Sequence, residues 1–351
     1  MALQTTQKPW VVIAILVTLL IALIPLFLTS PQNTSAPYEI IQPENVKYDF
    51  GAHPTTIALE GKEAVRVGVY ILSVGNLDTR TGTYLMDFFL NFKCETPPCD
   101  PTQFDIMNAA SKPVVEDQTE DVVRGTEFYY RIRANLQTNL DLKQFPFDKH
   151  TLVIELEDKN KTNDEYVLIA DQEQSGIDSE VYVAGWNLEP YIFGGEKSHN
   201  YTVYKEAYSR VRFAIHIYHP WFSSFMKGLF AAIVIVAVGM LSFLMNESEA
   251  RDRIALTSGT LASAIFYHMT LTASVPPVGY LTYADRFMIL QYVFITAALG
   301  SAISLFLLQR TENNTAEHKI LAAQIHRTTR WMIPSFWIVA MVVLHITTLG
   351  F

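Results

Sequence analysis

The sequence predicts a mixed fold, in which an extracellular antiparallel β-sandwich is followed by a bundle of four membrane helices. Half of the 351 residues are hydrophobic, and they are distributed unevenly. Residues 38–219 have the charge density of a soluble domain, whereas residues 220–351 are strongly apolar. Apolar and polar residues alternate through most of the first part, as in half-buried strands. The second part contains four stretches long enough to cross about 30 Å of hydrocarbon.

An additional apolar stretch, Trp10–Leu28, precedes the sandwich. Residues 1–36 are therefore predicted to be either a cleaved signal peptide or a retained N-terminal membrane anchor. Small residues before Pro37 resemble a cleavage site, but a proline directly after that site should hinder cleavage. Both alternatives place residues 38–219 outside the cytoplasm.

The sandwich is predicted from two clear alternating segments and several weaker ones. In AVRVGVYIL, the side chains of Val65, Val67, Val69 and Ile71 face one way, and residues 211–217 alternate similarly in VRFAIHIY. Further strand candidates are TYLMDFFLNF, TEFYYRIRANL, KHTLVIELE and VYVAGWNLEPYIF. No long amphipathic helix interrupts these segments, so the first part is predicted to be all β.

Two local features of the sandwich, a cysteine pair and an acidic run, are not predicted to be catalytic. Cys94 and Cys99 flank a Pro-Pro turn, and the oxidising environment outside the cytoplasm favours a disulfide between them. The acidic run VVEDQTEDVV is either a solvated loop or a weak Ca²⁺ site, and its carboxylates are Glu116, Asp117, Glu120 and Asp121. The sequence contains no Gly-rich phosphate loop, G-x-S-x-G or H-E-x-x-H motif, so an enzyme is not predicted.

The four membrane helices of residues 220–351 are predicted at about 221–245, 254–275, 287–308 and 331–350. The segment Gln309–Arg330 contains four lysine or arginine residues and is therefore assigned to the cytoplasm. Arg251 and Arg253 place the start of the second helix on the same side. The turn Pro276–Ala284 contains no lysine or arginine, so it is expected on the outer side of the membrane.

The second of these helices has one face of small and polar residues. A helical stripe along that face is formed by Asp252, Ala255, Gly259, Ala262, Phe266, Met269 and Ala273. A pore lining is small and polar where water passes and apolar where the gate closes, so this stripe is a candidate pore surface. Thr257 and Ser258 are expected to hydrate its lower half. The alternative is that the small residues only allow helices to pack closely.

A loop between two predicted strands, NLDLKQFPFDKHTL, contains the apolar knuckle Phe145-Pro146-Phe147 followed by Asp148. Together with the four membrane segments, this loop resembles that of the pentameric ligand-gated ion channels, the Cys-loop receptor superfamily. FDIMNAAS, GWNL and YLTYADRF support the resemblance, which extends from about Val65 to Gly350. Thr138 and Leu152 occupy the places of the two cysteines that bracket the loop in animal members. The chain therefore resembles the prokaryotic branch, which lacks that disulfide.

The resemblance implies a homopentamer in the bacterial inner membrane, with the sandwich on the periplasmic or external side. Its partners would be the lipid bilayer, permeant inorganic ions and a small-molecule agonist of unknown identity. A ring of Asp252 carboxylates would concentrate cations at the inner mouth, whereas Arg253 should point away from the axis. No cofactor and no nucleic-acid partner are predicted. An anion-selective channel of the same family remains an alternative.

The resemblance also implies an agonist pocket between subunits, beneath a hairpin at Phe193–Ser209. The candidate ligand-binding residues are Trp186, Tyr201, Tyr204, Tyr208, Phe88, Phe89 and Tyr130. Glu196 or Glu206 would add negative charge for a cationic ligand held by aromatic faces. The alternative is that these aromatic residues fill the sandwich core. The predicted gating interface contains Phe145, Pro146, Phe147, Asp148, Pro276 and Tyr280.

The chain departs from the family pattern at the start of the membrane domain. His216 and His219 replace the usual basic residues, and the first membrane helix has Lys227 but no proline. With His150, these histidines would provide a proton trigger, because histidine titrates near physiological pH. The main rival to a channel is a membrane-anchored solute-binding sensor without ion conduction.

Overall fold

The structure is a computed structural model that describes residues 61–95, 100–120, 127–273, 275–310 and 316–349, without the side chains at 119 and 120. These residues form two compact units. One unit contains residues 61–141 and 148–220, and the other contains residues 142–147 and 221–349. The predicted leader, residues 1–36, lies outside the described residues.

The first unit is built from strands. They are β1 (Glu63–Asp78), β2 (Thr83–Cys94), β3 (Phe104–Ile106), β4 (Val114–Glu120), β5 (Glu127–Gln137), β6 (Lys149–Asp158), β7 (Tyr166–Ala170), β8 (Gly176–Ile177), β9 (Asn187–Tyr201) and β10 (Glu206–Tyr218). One sheet has the order β4-β5-β2-β1-β7, with β8 also paired to β1, and the second has the order β3-β6-β10-β9. The predicted β-sandwich is thus confirmed as two sheets.

Pairing within the sheets is antiparallel except at one edge, where β1 pairs in parallel with β7 and with β8. The prediction of a purely antiparallel sandwich was wrong at this edge. A parallel pair requires a long crossover between its strands. Here the chain passes through strands of both sheets between β1 and β7, which provides that crossover.

The sandwich core follows the alternation seen in the sequence. Val65, Val67, Val69 and Ile71 of β1 are at most 1% exposed, and the inward residues of β10 are equally buried. Both sheets contribute to one continuous apolar cluster. Because each strand offers one apolar face, closing the two sheets over each other removes that face from water.

The second unit is built from helices. They are α1 (Trp221–Gly228), α2 (Phe230–Met240), α3 (Ala250–Thr272), α4 (Tyr283–Arg310) and α5 (Ala316–Leu349). Among the described residues, three helices are long and apolar enough to cross a membrane, or four if α1 and α2 are counted as one bent span. The helices share a core formed by apolar side chains of all of them.

Two helices differ from the predicted spans. The first span is bent by 47° between α1 and the helix that follows it, which ends in a 3₁₀ turn at Leu241–Leu244. The last helix begins at Ala316, well before the predicted start at residue 331. Its first part is rich in helix-forming residues, and Ala322 packs with Leu305 and Ala250. Hydropathy alone marks only the apolar part of such a helix.

Candidate functional site

The candidate pore surface lies on α3, and its position follows from how this helix packs. Arg253, Thr257, Thr260, Ala264 and Leu271 are buried and form one stripe along the helix. This stripe faces the other helices of the same unit. The opposite side of α3 is therefore the side that the chain's own helices leave uncovered.

All residues of the predicted pore stripe lie on that uncovered side. The exposed positions are Asp252, Ala255, Gly259, Ala262, Phe266, Met269 and Ala273. Phe266 is 70% exposed and Met269 is 64% exposed, so two bulky apolar side chains extend away from their own bundle. Such exposure is costly in a monomer in water and indicates a surface that another environment or subunit completes.

Two polar residues beside the stripe behave differently from each other. Thr257 is fully buried, and its hydroxyl donates to the Arg253 carbonyl oxygen at 2.7 Å. The expectation that Thr257 hydrates the pathway was therefore wrong, because a residue on the packed side cannot reach it. Ser258 is exposed, and its hydroxyl donates to the Ala255 carbonyl oxygen at 3.0 Å.

Asp252 and Arg253 are neighbours in sequence and point to opposite sides of α3. Asp252 is exposed, whereas Arg253 is fully buried. The Arg253 guanidinium lies over the Phe243 ring at 5.5 Å, and its Nη1 is 3.2 Å from Nδ1 of His326. Arg253 thus points away from the stripe.

The proline loop, residues 142–147, packs within the helical unit. The backbone N–H groups of Tyr283 and Ala284 donate to the carbonyl oxygens of Lys143 and Phe145, at 2.8 and 3.1 Å. These two N–H groups begin α4, where helical donors have no partner in their own helix. The loop therefore caps α4.

Side chains extend this contact. The Phe147 ring lies 6.3 Å from Trp221 in a stacked arrangement and 5.7 Å from Tyr283 in an edge arrangement. The Tyr280 hydroxyl accepts from the Leu142 N–H at 3.0 Å. Pro276 and Tyr280 line a cavity together with Phe145. Of the predicted gating residues, the structure thus brings together Phe145, Pro146, Phe147, Pro276 and Tyr280.

Asp148 differs from its predicted place at the tip of the knuckle. It belongs to the sandwich unit, is 1% exposed, and its carboxylate is hydrogen-bonded to Nε2 of His150. The carboxylate directly precedes β6 and is buried beside His150 of that strand. Nearby, the His219 ring stacks on Trp186 at 3.6 Å, and His150 contacts the same indole.

The bend in the first span occurs at Leu229, although the span contains no proline. Leu229 adopts φ −126° and ψ −26°, outside helical geometry. The Tyr267 hydroxyl of α3 lies 3.2 Å from the Lys227 carbonyl oxygen and 3.0 Å from that of Gly228. A kink needs a cause such as proline, glycine or an inserted polar group, and here Gly228 and Tyr267 provide two of them.

A cavity of about 250 Å³ lies beneath the tip of the β9–β10 hairpin. Its lining includes the three predicted tyrosines, four carboxylates and one ammonium group, contributed by Tyr201, Tyr204, Tyr208, Asp105, Glu157, Asp158, Glu206 and Lys159. The Tyr201 and Tyr208 rings meet edge to face at 5.6 Å. The Arg210 guanidinium pairs with Glu157 at 2.6 Å, and Glu157 also accepts from the Tyr201 hydroxyl at 2.9 Å. With Glu157 paired to Arg210, the other charged side chains of the lining are three carboxylates and one ammonium group, so their net charge is negative.

The other predicted ligand residues lie elsewhere. Phe88 and Tyr130 are buried in the sandwich core, and Trp186 packs with His219. Phe89 is 43% exposed on β2, with the Arg131 guanidinium 6.0 Å from its ring. Glu196 accepts from the Ala170 N–H at 2.8 Å instead of lining the cavity. The sequence analysis missed Asp105 and Asp158, whose positions at strand ends gave no distinct signal.

The described residues include only part of the predicted disulfide and part of the predicted calcium site. Cys94 ends β2, and Cys99 lies outside the described residues, so their disulfide stays a prediction. Glu116 forms an ion pair with Arg133 at 3.1 Å, and Asp117 lies beside it on β4. Asp121 and the side chain of Glu120 lie outside the described residues. Among the residues that are described, no group of three or more metal-binding side chains occurs.

No model of a protein family matches the chain. The chain is similar to a "Proton-gated ion channel" of Gloeobacter violaceus, with 23% identity over 309 residues, which cover 82% of this chain and 84% of that protein. It is also similar to a "Gamma-aminobutyric acid receptor subunit beta" of Caenorhabditis elegans, with 20% identity over 176 residues. This second match covers 48% of the chain and 30% of the receptor subunit.

Proposed function

The chain belongs to the superfamily of pentameric ligand-gated ion channels, and from this premise we propose that it forms a homopentameric, cation-selective channel opened by an external ligand. The observation that carries the proposal is the uncovered stripe of α3, which begins at Asp252 and ends at Ala273. Five copies of this side, arranged around an axis, enclose a path that is small and polar in its lower half. The protein is a channel rather than an enzyme.

Cation selectivity is supported by the opposite directions of Asp252 and Arg253. The carboxylate is on the exposed side of the helix, and the guanidinium is buried within the chain's own bundle. Five carboxylates in a ring create a negative potential at the mouth of the path. Cations are concentrated there and anions are repelled, whereas an anion-selective channel would need the reverse arrangement.

Phe266 and Met269 are proposed as the gate. Both side chains are large, apolar and directed away from the bundle. A ring of such side chains closes a narrow path by excluding water, without having to block it completely. Rotation or tilt of α3 would replace them with the small residues that flank them and let the path fill with water.

The cavity beneath the β9–β10 hairpin is proposed as the chain's part of the ligand site. Tyrosine faces attract organic cations, and the surplus of carboxylates in the lining adds to that attraction. We therefore propose a small organic cation as the ligand class. Because a ligand shifts an equilibrium only by its different affinities for the two states, it must fit the hairpin better in the open state.

Reversal potentials test the selectivity. Wild-type channels in planar bilayers under a KCl gradient should reverse near the potassium equilibrium potential, and Asp252→Asn should move the reversal toward zero. Glu249→Gln is the matched control, since this exposed carboxylate precedes the same helix but lies off the stripe. Unchanged reversal in Asp252→Asn would contradict the proposed filter. A purified protein with the native mass of one chain and no current would instead support the solute-binding sensor.

Protons are a second candidate ligand for the same channel. The relative from Gloeobacter violaceus is named a proton-gated ion channel. In the sandwich of this chain, His150 is buried in contact with the Asp148 carboxylate, and the His219 ring stacks on Trp186. Burial lowers the pKa of His216, so that residue accepts a proton only at more acidic pH. Loss of acid-evoked current in His150→Gln would support this candidate.

A further inference from the structure

A surface turn between β6 and β7 contains an acceptor triplet for an N-linked glycan. The triplet, Asn-x-Thr, is formed by Asn160, Lys161 and Thr162. The turn comprises residues 159–165 and belongs to the sandwich unit. Asp158, the last residue of β6, stands two positions before Asn160. Bacterial oligosaccharyltransferases select acceptors that have an acidic residue at that position, so residues 158–162 match a complete bacterial acceptor sequence.

The chain contains four other Asn-x-Ser or Asn-x-Thr triplets, which begin at Asn33, Asn200, Asn246 and Asn313. The residues two positions before them are proline, serine, leucine and threonine, so none of the four has the acidic residue. Asn200 is also paired with Ala207 in the ladder of the β9–β10 hairpin, beside a tyrosine that lines the hairpin cavity. Asn160 is therefore the acceptor that the sequence favours.

The backbone of the turn holds Asn160 at the surface of the sandwich. Oδ1 of Asp158 accepts from the backbone N–H groups of Asn160 and Lys161, at 2.8 and 2.7 Å. Aspartate commonly forms turns of this kind with the residues that follow it. At the far end of the turn, the Asn163 N–H donates to a carbonyl oxygen of β10 at 2.7 Å. Asn160 thus lies in a turn that is fixed on both sides.

The side chains of the triplet are used differently by the folded sandwich. The Lys161 ammonium pairs with Glu63 at 2.6 Å and lies 4.9 Å from the Tyr166 ring, so this side chain packs against the sandwich. Asn160 is exposed, and within the described part of the chain its side-chain amide has no hydrogen-bond partner. A sugar on that amide would therefore displace no contact of the protein.

We propose that Asn160 carries an N-linked oligosaccharide. The side-chain nitrogen bonds to the anomeric carbon of a lipid-linked oligosaccharide, and the bond from that carbon to the diphosphate oxygen breaks. The nitrogen loses one proton, and the lipid diphosphate leaves. Asp158 is 5% exposed in the folded sandwich, so the transferase reads this carboxylate before the turn closes, as the chain enters the external compartment.

The position of the turn gives the glycan a defined neighbour. Asp158 and Lys159, directly before Asn160, line the cavity beneath the β9–β10 hairpin. An N-linked glycan is bulky and hydrated, and at Asn160 it stands at the rim of this cavity without occupying it. The proposal goes beyond the channel function and rests on one part of it, the external side given to the sandwich.

Mass spectrometry of the full chain tests the proposal. The protein is produced in a bacterium that has a periplasmic oligosaccharyltransferase and its lipid-linked oligosaccharide, and the peptide containing Asn160 should gain the mass of one oligosaccharide. Asn160→Gln and Thr162→Ala should lose the added mass completely, whereas Thr162→Ser should retain it because the hydroxyl remains. Asn163→Gln is the matched control, since Asn163 lies in the same turn but begins no triplet, and this variant should stay modified.

An unmodified Asn160 would overturn the proposal if the same cells modify a known acceptor protein, and so would a glycan on Asn200 in its place. Protease treatment of spheroplasts separates this failure from a failure of the proposed function. If the sandwich is digested from outside and carries no glycan, the glycan proposal alone fails. If the sandwich is protected from the protease, its external side is wrong, and both the glycan and the external ligand site are refuted.

Discussion

Pro146 of the loop lies directly against Gly228, at the end of α1. A Cβ atom at position 228 would come within 2.8 Å of Cγ of Pro146. The next residue, Leu229, is where the first membrane span bends. The proline loop thus presses on the bend itself, and the Tyr267 hydroxyl of the candidate pore helix holds the same bend through the backbone.

Gly228→Ala should therefore destabilise the helical unit, because the added methyl group would overlap the proline ring. Overpacking of this kind costs roughly 1–3 kcal/mol. Gly300→Ala on α4 is the matched control, since a Cβ there meets no atom within 4 Å and alanine favours a helix. Thermal unfolding should show a lower midpoint for the first variant only. Equal midpoints for the two variants would contradict the prediction, because they would mean that the proline loop can move away from the added methyl group without loss of stability.

Tyr267→Phe should alter gating with little effect on assembly. The substitution removes one hydroxyl that binds the carbonyl oxygens of the bend, at a cost of roughly 1 kcal/mol. If the bend differs between closed and open states, the ligand concentration for half-maximal current will shift several-fold. Tyr182→Phe, at a tyrosine that is 77% exposed in the sandwich, serves as the control. Identical dose–response curves would exclude a role for this contact.

Phe266→Ala should open the candidate gate. Removing five large side chains from a closed apolar ring lets water in, so the ligand-free open probability should rise at least roughly tenfold, the effect of about 1.4 kcal/mol. Single-channel recording measures it directly. Ile265→Ala removes an adjacent exposed side chain that lies off the stripe, and it should leave the basal current low. A larger effect at position 265 would place the pore on another face of α3.

Glu206→Gln should weaken the binding of a quaternary ammonium probe. The carboxylate lines the hairpin cavity and accepts from the Tyr208 hydroxyl at 2.9 Å. Because Glu206 is exposed, its charge should contribute only a two- to five-fold change, roughly the value of a surface ion pair. Binding of tetramethylammonium, followed by calorimetry, measures the change. Glu165→Gln, an exposed carboxylate away from the cavity, should bind like the wild type.

Glu196→Gln should stabilise the sandwich at neutral pH and above. Burial raises the pKa of the Glu196 carboxyl above its ordinary 4.5, although the Ala170 N–H opposes this shift. A carboxyl whose pKa is raised on folding destabilises the fold as the pH increases through that pKa. The amide keeps the hydrogen bond without the charge. The unfolding temperature should therefore exceed that of the wild type at about pH 8, but not at about pH 4, and Glu173→Gln should match the wild type at both.

The sequence predicted the exposed and buried residues well where their regular spacing identifies one face of a helix or strand. The stripe from Asp252 to Ala273 recurs at helical spacing, and the structure leaves its members exposed. Alternation likewise identified the inward residues of β1. The same rule excludes Phe88 and Phe89 from facing one pocket together, because consecutive strand residues point to opposite sides. The structure buries the first and exposes the second.

Long-range contacts explain what the sequence could not predict. The bend at Leu229 depends on Pro146 and Tyr267, which are distant in the chain, and no local signal marks their meeting. Asp148 was placed at the loop tip, but its burial depends on the partner that β6 brings beside it.

The capping of α4 by the proline loop also determines how hybrid proteins should be built. Residues 142–147 cluster with the helices, while the chain before and after them clusters with the sandwich. A fusion cut only at residue 220 would therefore join foreign loop residues to native helices and would remove the packing of Pro146 on Gly228 and of Phe147 on Trp221 and Tyr283. Grafts that exchange the sandwich while retaining residues 142–147 should express better than grafts with a single junction.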